Sequence, residues 1–155
     1  MTTHELSPLS LAEFDQSWRE RTGARALGGV DEAGRGALAG PVVAACVVLP
    51  GGVELPVLND SKQLTAAQRE GLVGPILTHA LAWGVGWASA AEIDKINILQ
   101  ATLRACGRAL EMLAAPPDFL ITDYLNLPAA PCPFEPIVKG DAQSQAVAAA
   151  SVLAK

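Results

Sequence analysis

The sequence predicts an α/β fold in which a mixed sheet of about five strands is flanked by helices. Two apolar runs, 26–33 and 42–49, are separated only by a glycine-rich turn, as neighbouring strands are. Further along the chain, apolar runs alternate with segments of helical spacing, so each of the last two strands is predicted to follow a helix. The chain has 155 residues, half of them hydrophobic, which is enough for one domain with a substantial core.

The first part of the chain, residues 1–24, is predicted to be a leader that contains one amphipathic helix. Leu11, Phe14 and Trp18 recur at helical spacing, and Ser10 precedes them in a position suited to capping the helix. We expect this helix to pack on the rest of the chain.

Strands are predicted where apolar and β-branched residues cluster between turn signals. In the third strand the residues alternate, which places Trp83 and Trp87 on the same face. The five predicted strands cover residues 26–33, 42–49, 81–89, 119–123 and 134–138.

Two further helices begin at capping boxes. Thr65 is followed by Gln68 and Ser89 by Glu92, at the spacing where a cap and the third helical residue satisfy each other's backbone groups. The alanine-rich run at the end of the chain is predicted to be a last helix, with Asp141 as its cap. These helices are predicted over residues 65–78, 90–114 and 141–155.

The composition limits the classes of function that the chain can have. The net charge is −5, whereas nucleic-acid-binding proteins are more often basic, so any phosphate contact must depend on local basic residues. The three cysteines show no C-x-x-C spacing, which argues against a disulfide framework or a zinc site. The N-terminus lacks the apolar run of a signal peptide, and no apolar stretch is long enough for a membrane helix. We therefore expect a cytoplasmic protein without membrane attachment. We also expect it to be a monomer.

The segment 28–41 carries the most distinctive pattern of the chain. Asp31 and Glu32 are adjacent carboxylates at the end of an apolar run, and they repel each other unless a cation, usually a divalent metal, lies between them. The glycines that follow allow a ligand to approach the backbone, and Arg35 offers a guanidinium fork suited to phosphate oxygens. The pattern indicates a metal site beside a site for a nucleic-acid backbone. A solvated strand end would also explain the acidic pair.

A third carboxylate, Asp123, ends the fourth predicted strand. If the strands that end near Asp31 and Asp123 are neighbours in the sheet, the two side chains can share a metal, with Glu32 completing its ligand shell. The alternative is that Asp123 is a turn residue after a strand. The other aspartates considered are interpreted as structural: Asp60, Asp94 and the helix cap Asp141.

Four segments of the chain together match the signatures of one family. They read G-V-D-E-A-G-R-G-A-L-A-G-P at 29–41, N-D-S-K-Q-L at 59–64, E-I-D-K-I-N-I at 92–98, and K-G-D at 139–141 leading to A-A-A-S-V-L-A-K at 148–155. In these segments the chain resembles the bacterial ribonuclease HII family. The related ribonuclease HIII family usually carries lysine where Arg35 stands, which favours the HII branch.

The resemblance implies a ribonuclease H-like fold for residues 25–155 and a metal-dependent endonuclease. Such an enzyme cuts the RNA strand of RNA–DNA hybrids and cuts 5′ of single ribonucleotides embedded in duplex DNA. The resemblance assigns catalysis, and the binding of a pair of Mg²⁺ or Mn²⁺ ions, to Asp31, Glu32 and Asp123. It assigns contacts with the hybrid substrate to a further set of residues: Gly34, Arg35, Gly36, Ser61, Lys62 and Lys139.

The chain also departs from the family pattern. The family places a fourth acidic ligand shortly after the residues that match Ala154-Lys155, so the catalytic domain is expected to be incomplete at its C-terminus. The family usually has glycine where Tyr124 stands. An alternative function is therefore a hybrid-binding fragment with impaired catalysis. A nucleotide-binding enzyme with the glycine turn as its phosphate loop is disfavoured, because the sequence lacks G-x-x-x-x-G-K-[ST].

Overall fold

The fold is built on one sheet with helices on both of its faces. The computed structural model describes residues 9–34, 40–58 and 64–155. Within these ranges the helices are α1 (Leu11–Thr22), α2 (Ala66–His79), α3 (Ala90–Glu111) and α4 (Gln145–Ala154). The strands are β1 (Leu27–Ala33), β2 (Val42–Leu49), β3 (Ala82–Ala88), β4 (Phe119–Asp123) and β5 (Phe134–Ile137). The predicted fold class is confirmed, with small shifts at the ends of the elements.

The sheet has the strand order β3-β2-β1-β4-β5 and is mixed. Antiparallel pairs join β1 to β2 and β2 to β3, whereas β1 pairs in parallel with β4 and β4 with β5. The prediction that each of the last two strands follows a helix is confirmed for β4 but wrong for β5. Residues 124–133, all of them described, form turns without a helix, and the buried side chains of Leu125 and Leu127 anchor this connection.

Side chains of the strands alternate between two helical layers. Cys46 of β2 belongs to the cluster that packs against α3, while the next residue, Val47, belongs to the cluster with α2 and α4. The helix α1 lies in the second layer, where Trp18 stacks on Phe119 with ring centroids 5.5 Å apart. The sheet is therefore covered by α3 on one face and by α1, α2 and α4 on the other.

The beginnings of the helices follow the sequence closely. The capping boxes predicted at Thr65 and Ser89 are present, and Ser10 caps α1 in the same way. The helix α3 is broken at Asn97, whose φ of 73° is left-handed and whose side chain accepts a hydrogen bond from the Gln100 N–H at 2.9 Å. None of the described helices is long and apolar enough to cross a membrane.

The prediction that Asp141 caps the last helix is wrong. The cap of α4 is Ser144, whose hydroxyl accepts a hydrogen bond from the Val147 N–H at 3.3 Å. Asp141 lies instead in a separate 3-10 turn, Gly140–Ala142, that precedes α4. Because Ser144 occupies the capping position, the Asp141 carboxylate is not used to begin the helix.

The start of α4 lies directly on β1 at Gly29. A Cβ atom at this position would lie 2.2 Å from the carbonyl carbon of Ala146 and 2.3 Å from the nitrogen of Val147. Only a residue without a side chain permits such an approach. This contact fixes α4, and with it the turn that carries Asp141, close to the part of β1 that contains Asp31.

Asp15 of α1 is a second anchor for α4. Its side chain is fully buried, and Oδ2 accepts a hydrogen bond from the Ala146 N–H at 2.9 Å. That N–H belongs to the first turn of α4, where backbone donors have no partner within the helix. Burial raises the pKa of Asp15 to about 6, against the opposing effects of hydrogen bonds from Ser144 and Ala146 and of the charge on Arg19.

We expect Gly29→Ala to lower the free energy of unfolding by about 3 kcal/mol, the upper part of the range for overpacking, because the added Cβ meets backbone atoms. Urea unfolding followed by circular dichroism measures the change. Gly71→Ala in α2 is the matched control, since a Cβ there meets nothing within 4 Å. It should stabilise the chain by about 0.5–1 kcal/mol through helix propensity. Equal effects of the two substitutions would contradict the close approach of α4 to β1.

Stability should also depend on pH through Asp15. Its folded pKa of about 6 exceeds the ordinary value of 3.8, so between these values the folded chain holds a proton that the unfolded chain has lost. The resulting contribution to stability is complete below about pH 4 and is lost as the pH rises through about 6. Relative to Asp15→Asn, the natural chain should lose about 3 kcal/mol between these limits. Urea unfolding of both proteins over this range tests the prediction, and a difference independent of pH would contradict it.

Candidate metal centre

The carboxyl ends of β1 and β4 bring two aspartates together. The parallel register pairs Val30 with Thr122, so Asp31 and Asp123 occupy the next position of each strand. Asp31 is only 5% exposed, and Asp123 is half-buried beside it. The prediction that the strands ending near Asp31 and Asp123 are neighbours is confirmed.

The turn before α4 adds a third carboxylate, Asp141. The preceding residue, Gly140, donates its N–H to Oδ1 of Asp123 at 2.8 Å. Gly140 also packs on the backbone of β4, since a Cβ there would lie 3.1 Å from the carbonyl oxygen of Thr122. One oxygen from each of Asp31, Asp123 and Asp141 lies within 4.8 Å of the other two. We call these three residues the carboxylate cluster.

Glu32 stands next to the carboxylate cluster but is not one of its three members. It follows Asp31 on β1, and alternation along the strand places it on the same face as Val30, which packs in the layer of α3. Its backbone N–H donates to Oδ1 of Asp31 at 2.8 Å. The predicted role of Glu32 as a metal ligand remains a prediction, while Asp141 provides the third converging carboxylate.

The surroundings of Asp31 shift its pKa upwards. Burial and then the negative charge of Asp123 raise the pKa of Asp31 to about 8, with smaller increases from Glu32 and Asp141. The hydrogen bond from the Glu32 N–H works in the opposite direction. A cation among these oxygens would favour the charged form of Asp31 and relieve the repulsion.

The donor set suits a hard divalent cation. Carboxylate oxygens are the ligands that Mg²⁺ and Mn²⁺ prefer, whereas zinc sites are usually built with histidine or cysteine. The carboxylate cluster consists of aspartates alone. Burial, and then the negative charge of Asp123, raise the pKa of its buried member, Asp31, and a bound cation would offset both effects. These residues therefore fit the kind of metal that the resemblance implies.

The structure describes two of the predicted substrate contacts. Gly34 follows β1 directly and has a φ of 86°, in the region that glycine adopts easily. Lys139 is exposed and precedes the turn that carries Asp141. Both residues therefore stand next to segments that form the carboxylate cluster. The other predicted contacts lie outside the described residues: Arg35, Gly36, Ser61 and Lys62.

Sequence reasoning missed Asp141 as a member of the site because two capping residues compete in this stretch. Asp141 and Ser144 are both of residue types that cap helices, and Asp141 comes first in the chain. The two residues differ in their distance from the first turn of α4. Only the Ser144 hydroxyl accepts a hydrogen bond from the Val147 N–H. With Ser144 assigned as the cap, an aspartate remains directly after Lys139-Gly140, close to the predicted end of β5.

Tyr124, which follows Asp123, has an unusual backbone conformation. Its φ is 53°, in the left-handed region where a Cβ atom is unfavourable. Glycine adopts this conformation without that penalty, so the glycine that the resemblance implies at this position would fit the turn more easily.

The sequence of the chain matches a known protein family. A family model described as Ribonuclease HII matches residues 28–155. Ribonuclease HII of Geobacter metallireducens is 56% identical over 135 residues, which make up 87% of this chain and 63% of that relative. The chain therefore spans less than two thirds of the length of this relative.

Solved structures share the fold. Ribonuclease H2 from Pyrococcus horikoshii OT3 has a TM-score of 0.69 at 26% identity, over 83% of this chain and 70% of that one. Bst-RNase HIII in complex with Mn²⁺ has a TM-score of 0.65 at 20% identity, over 99% of this chain and 56% of that one. At this identity the similarity concerns the fold alone. Since the family model matches residues 28–155, which include all three members of the carboxylate cluster, the chain belongs to the ribonuclease HII family.

Proposed function

We propose that this chain is a metal-dependent endonuclease that hydrolyses the RNA strand of RNA–DNA hybrids. In duplex DNA it cuts on the 5′ side of a single embedded ribonucleotide and leaves 3′-hydroxyl and 5′-phosphate ends. The observation that carries the proposal is the convergence of Asp31, Asp123 and Asp141 in a chain of the ribonuclease HII family.

The carboxylate cluster would hold the divalent cations, with Glu32 beside it as a further donor. When bound, Mg²⁺ or Mn²⁺ supplies an activated water and charge relief at the phosphate and the leaving oxygen. The contribution of the chain is to fix the carboxylates in advance. Asp31 is held by the Glu32 N–H and Asp123 by the Gly140 N–H, both at 2.8 Å.

Substrate selection is proposed to depend on the segments around the cluster. RNA differs from DNA at the 2′-hydroxyl, which backbone groups can contact where no side chain intervenes. Gly34 offers such groups at the end of β1, and Arg35 and Gly36 continue the same glycine-rich segment. Contacts that position the phosphate backbone are assigned to three further residues: Ser61, Lys62 and Lys139.

A hybrid-binding fragment with impaired catalysis is the alternative function. The basis of this alternative is the acidic ligand that the resemblance implies beyond the residues that match Ala154-Lys155. Asp141 now supplies a carboxylate to the cluster from within the chain. The three converging carboxylates, with Glu32 next to Asp31 along β1, favour catalysis.

We expect Asp141→Asn to lower kcat for a DNA duplex with one embedded ribonucleotide by about 100-fold or more in Mg²⁺. The amide keeps the size of the side chain but removes the negative charge that the cluster needs for a cation. Gel analysis of a 5′-labelled strand measures both the rate and the position of the cut.

Glu111→Gln is the control for this prediction. It makes the same change of carboxylate to amide on an exposed residue at the C-terminal end of α3, which packs near the start of β3 and far from the cluster. Its rate should equal that of the natural chain. A natural chain that binds the duplex but does not cut it in Mg²⁺ or Mn²⁺ would support the hybrid-binding fragment instead. Full activity of Asp141→Asn would remove Asp141 from the site.

A further inference from the structure

Tyr124 is an aromatic residue beside the carboxylate cluster whose side chain does not serve the fold. It is 70% exposed, and among the described residues its side chain makes no hydrogen bond or ring contact. Its φ of 53° is unfavourable for any residue with a Cβ atom. The chain thus keeps a large ring at a position where glycine would be easier to accommodate.

The turn that carries Tyr124 is held on both sides. The Tyr124 N–H donates to the carbonyl oxygen of Thr122 at 3.0 Å. The buried hydroxyl of Thr122 accepts from the Leu125 N–H at 3.1 Å and donates to the Leu125 carbonyl oxygen. On the other side, Asp123 is bound to the Gly140 N–H. The ring is therefore presented to solvent from a backbone that is fixed relative to Asp123.

The neighbours of Tyr124 extend this surface. The parallel register of β4 and β5 pairs Asp123 with Ile137, so Tyr124 and Val138 follow that pair. Val138 is 57% exposed, and Lys139 after it is also exposed. An aromatic ring, an aliphatic side chain and a cation thus stand at the carboxyl ends of two adjacent strands, next to the carboxylate cluster.

We propose that Tyr124 packs on a nucleotide of the RNA–DNA hybrid and, with Val138 as its apolar neighbour, positions that nucleotide beside the carboxylate cluster. This inference rests on the proposed function and adds a substrate contact to it. In a paired hybrid the faces of the bases are covered by their neighbours, so the ring packs on the sugar of a nucleotide exposed in the groove. A nearby lysine can bind the adjoining phosphate. Tyr124 is accordingly a substrate-positioning residue and takes no part in the chemical step.

The test is Tyr124→Gly, which removes the ring and relieves the unfavourable φ. The Kd for a fluorescein-labelled RNA–DNA hybrid, measured by anisotropy without divalent metal, should rise about tenfold, as expected when one buried aromatic contact is lost. With Mg²⁺, KM should rise with it while kcat changes by less than about twofold. The melting temperature should be unchanged or higher, so weaker binding could not be attributed to a damaged fold.

Two further variants make the result specific. Tyr124→Phe keeps the ring and should bind the hybrid within about twofold of the natural chain. Trp83→Ala removes another exposed ring, three strands away from β4 in the sheet, and should leave Kd unchanged.

The proposal is overturned if Tyr124→Gly binds as tightly as the natural chain, or if Tyr124→Phe is as weak as Tyr124→Gly. If the natural chain neither binds nor cuts the hybrid, the proposed function itself fails. If the natural chain cuts the hybrid but Tyr124→Gly has an unchanged KM, only the proposed contact of Tyr124 is overturned.

Discussion

The contact between the start of α4 and Gly29 of β1 is the constraint on which the candidate site depends. Because β1 has no side chain at this point, the backbone of α4 reaches the sheet, and Asp15 holds the same turn of α4 from the side of α1. The position of α4 in turn sets the position of the Gly140–Ala142 turn. The Gly140 N–H reaches Asp123 from there, and Asp141 joins the two aspartates at the strand ends.

This arrangement assembles negative charge against its own repulsion. Burial and neighbouring carboxylates raise the pKa of Asp31, so holding the cluster together in its charged form costs free energy. The apolar layers on both faces of the sheet and the backbone hydrogen bonds to Asp31 and Asp123 supply the rigidity. A cation that binds only the folded cluster would stabilise the fold by mass action, so metal binding and stability are linked.

The sequence predicts most of the fold because its signals are local. The capping boxes at Thr65 and Ser89 and the alternation in β3 depend on neighbouring residues alone, and each is confirmed. Asp31 and Asp123 could be identified from strand ends and family motifs. Asp141 also lies in one of the family motifs, K-G-D, but its place in the cluster is set by the contact of α4 with Gly29, which no local pattern reveals. The left-handed turn at Tyr124 was likewise visible only as an unexpected residue at a glycine position.

The central claim is that Asp31, Asp123 and Asp141 form one divalent-metal site. Anomalous diffraction from crystals of the chain soaked in Mn²⁺ tests it most directly, because Mn²⁺ can be located independently of the protein atoms. We predict a Mn²⁺ peak within bonding distance of carboxylate oxygens from Asp31, Asp123 and Asp141, and its loss in crystals of Asp31→Asn. A peak elsewhere, or a peak that persists in Asp31→Asn, would contradict the account.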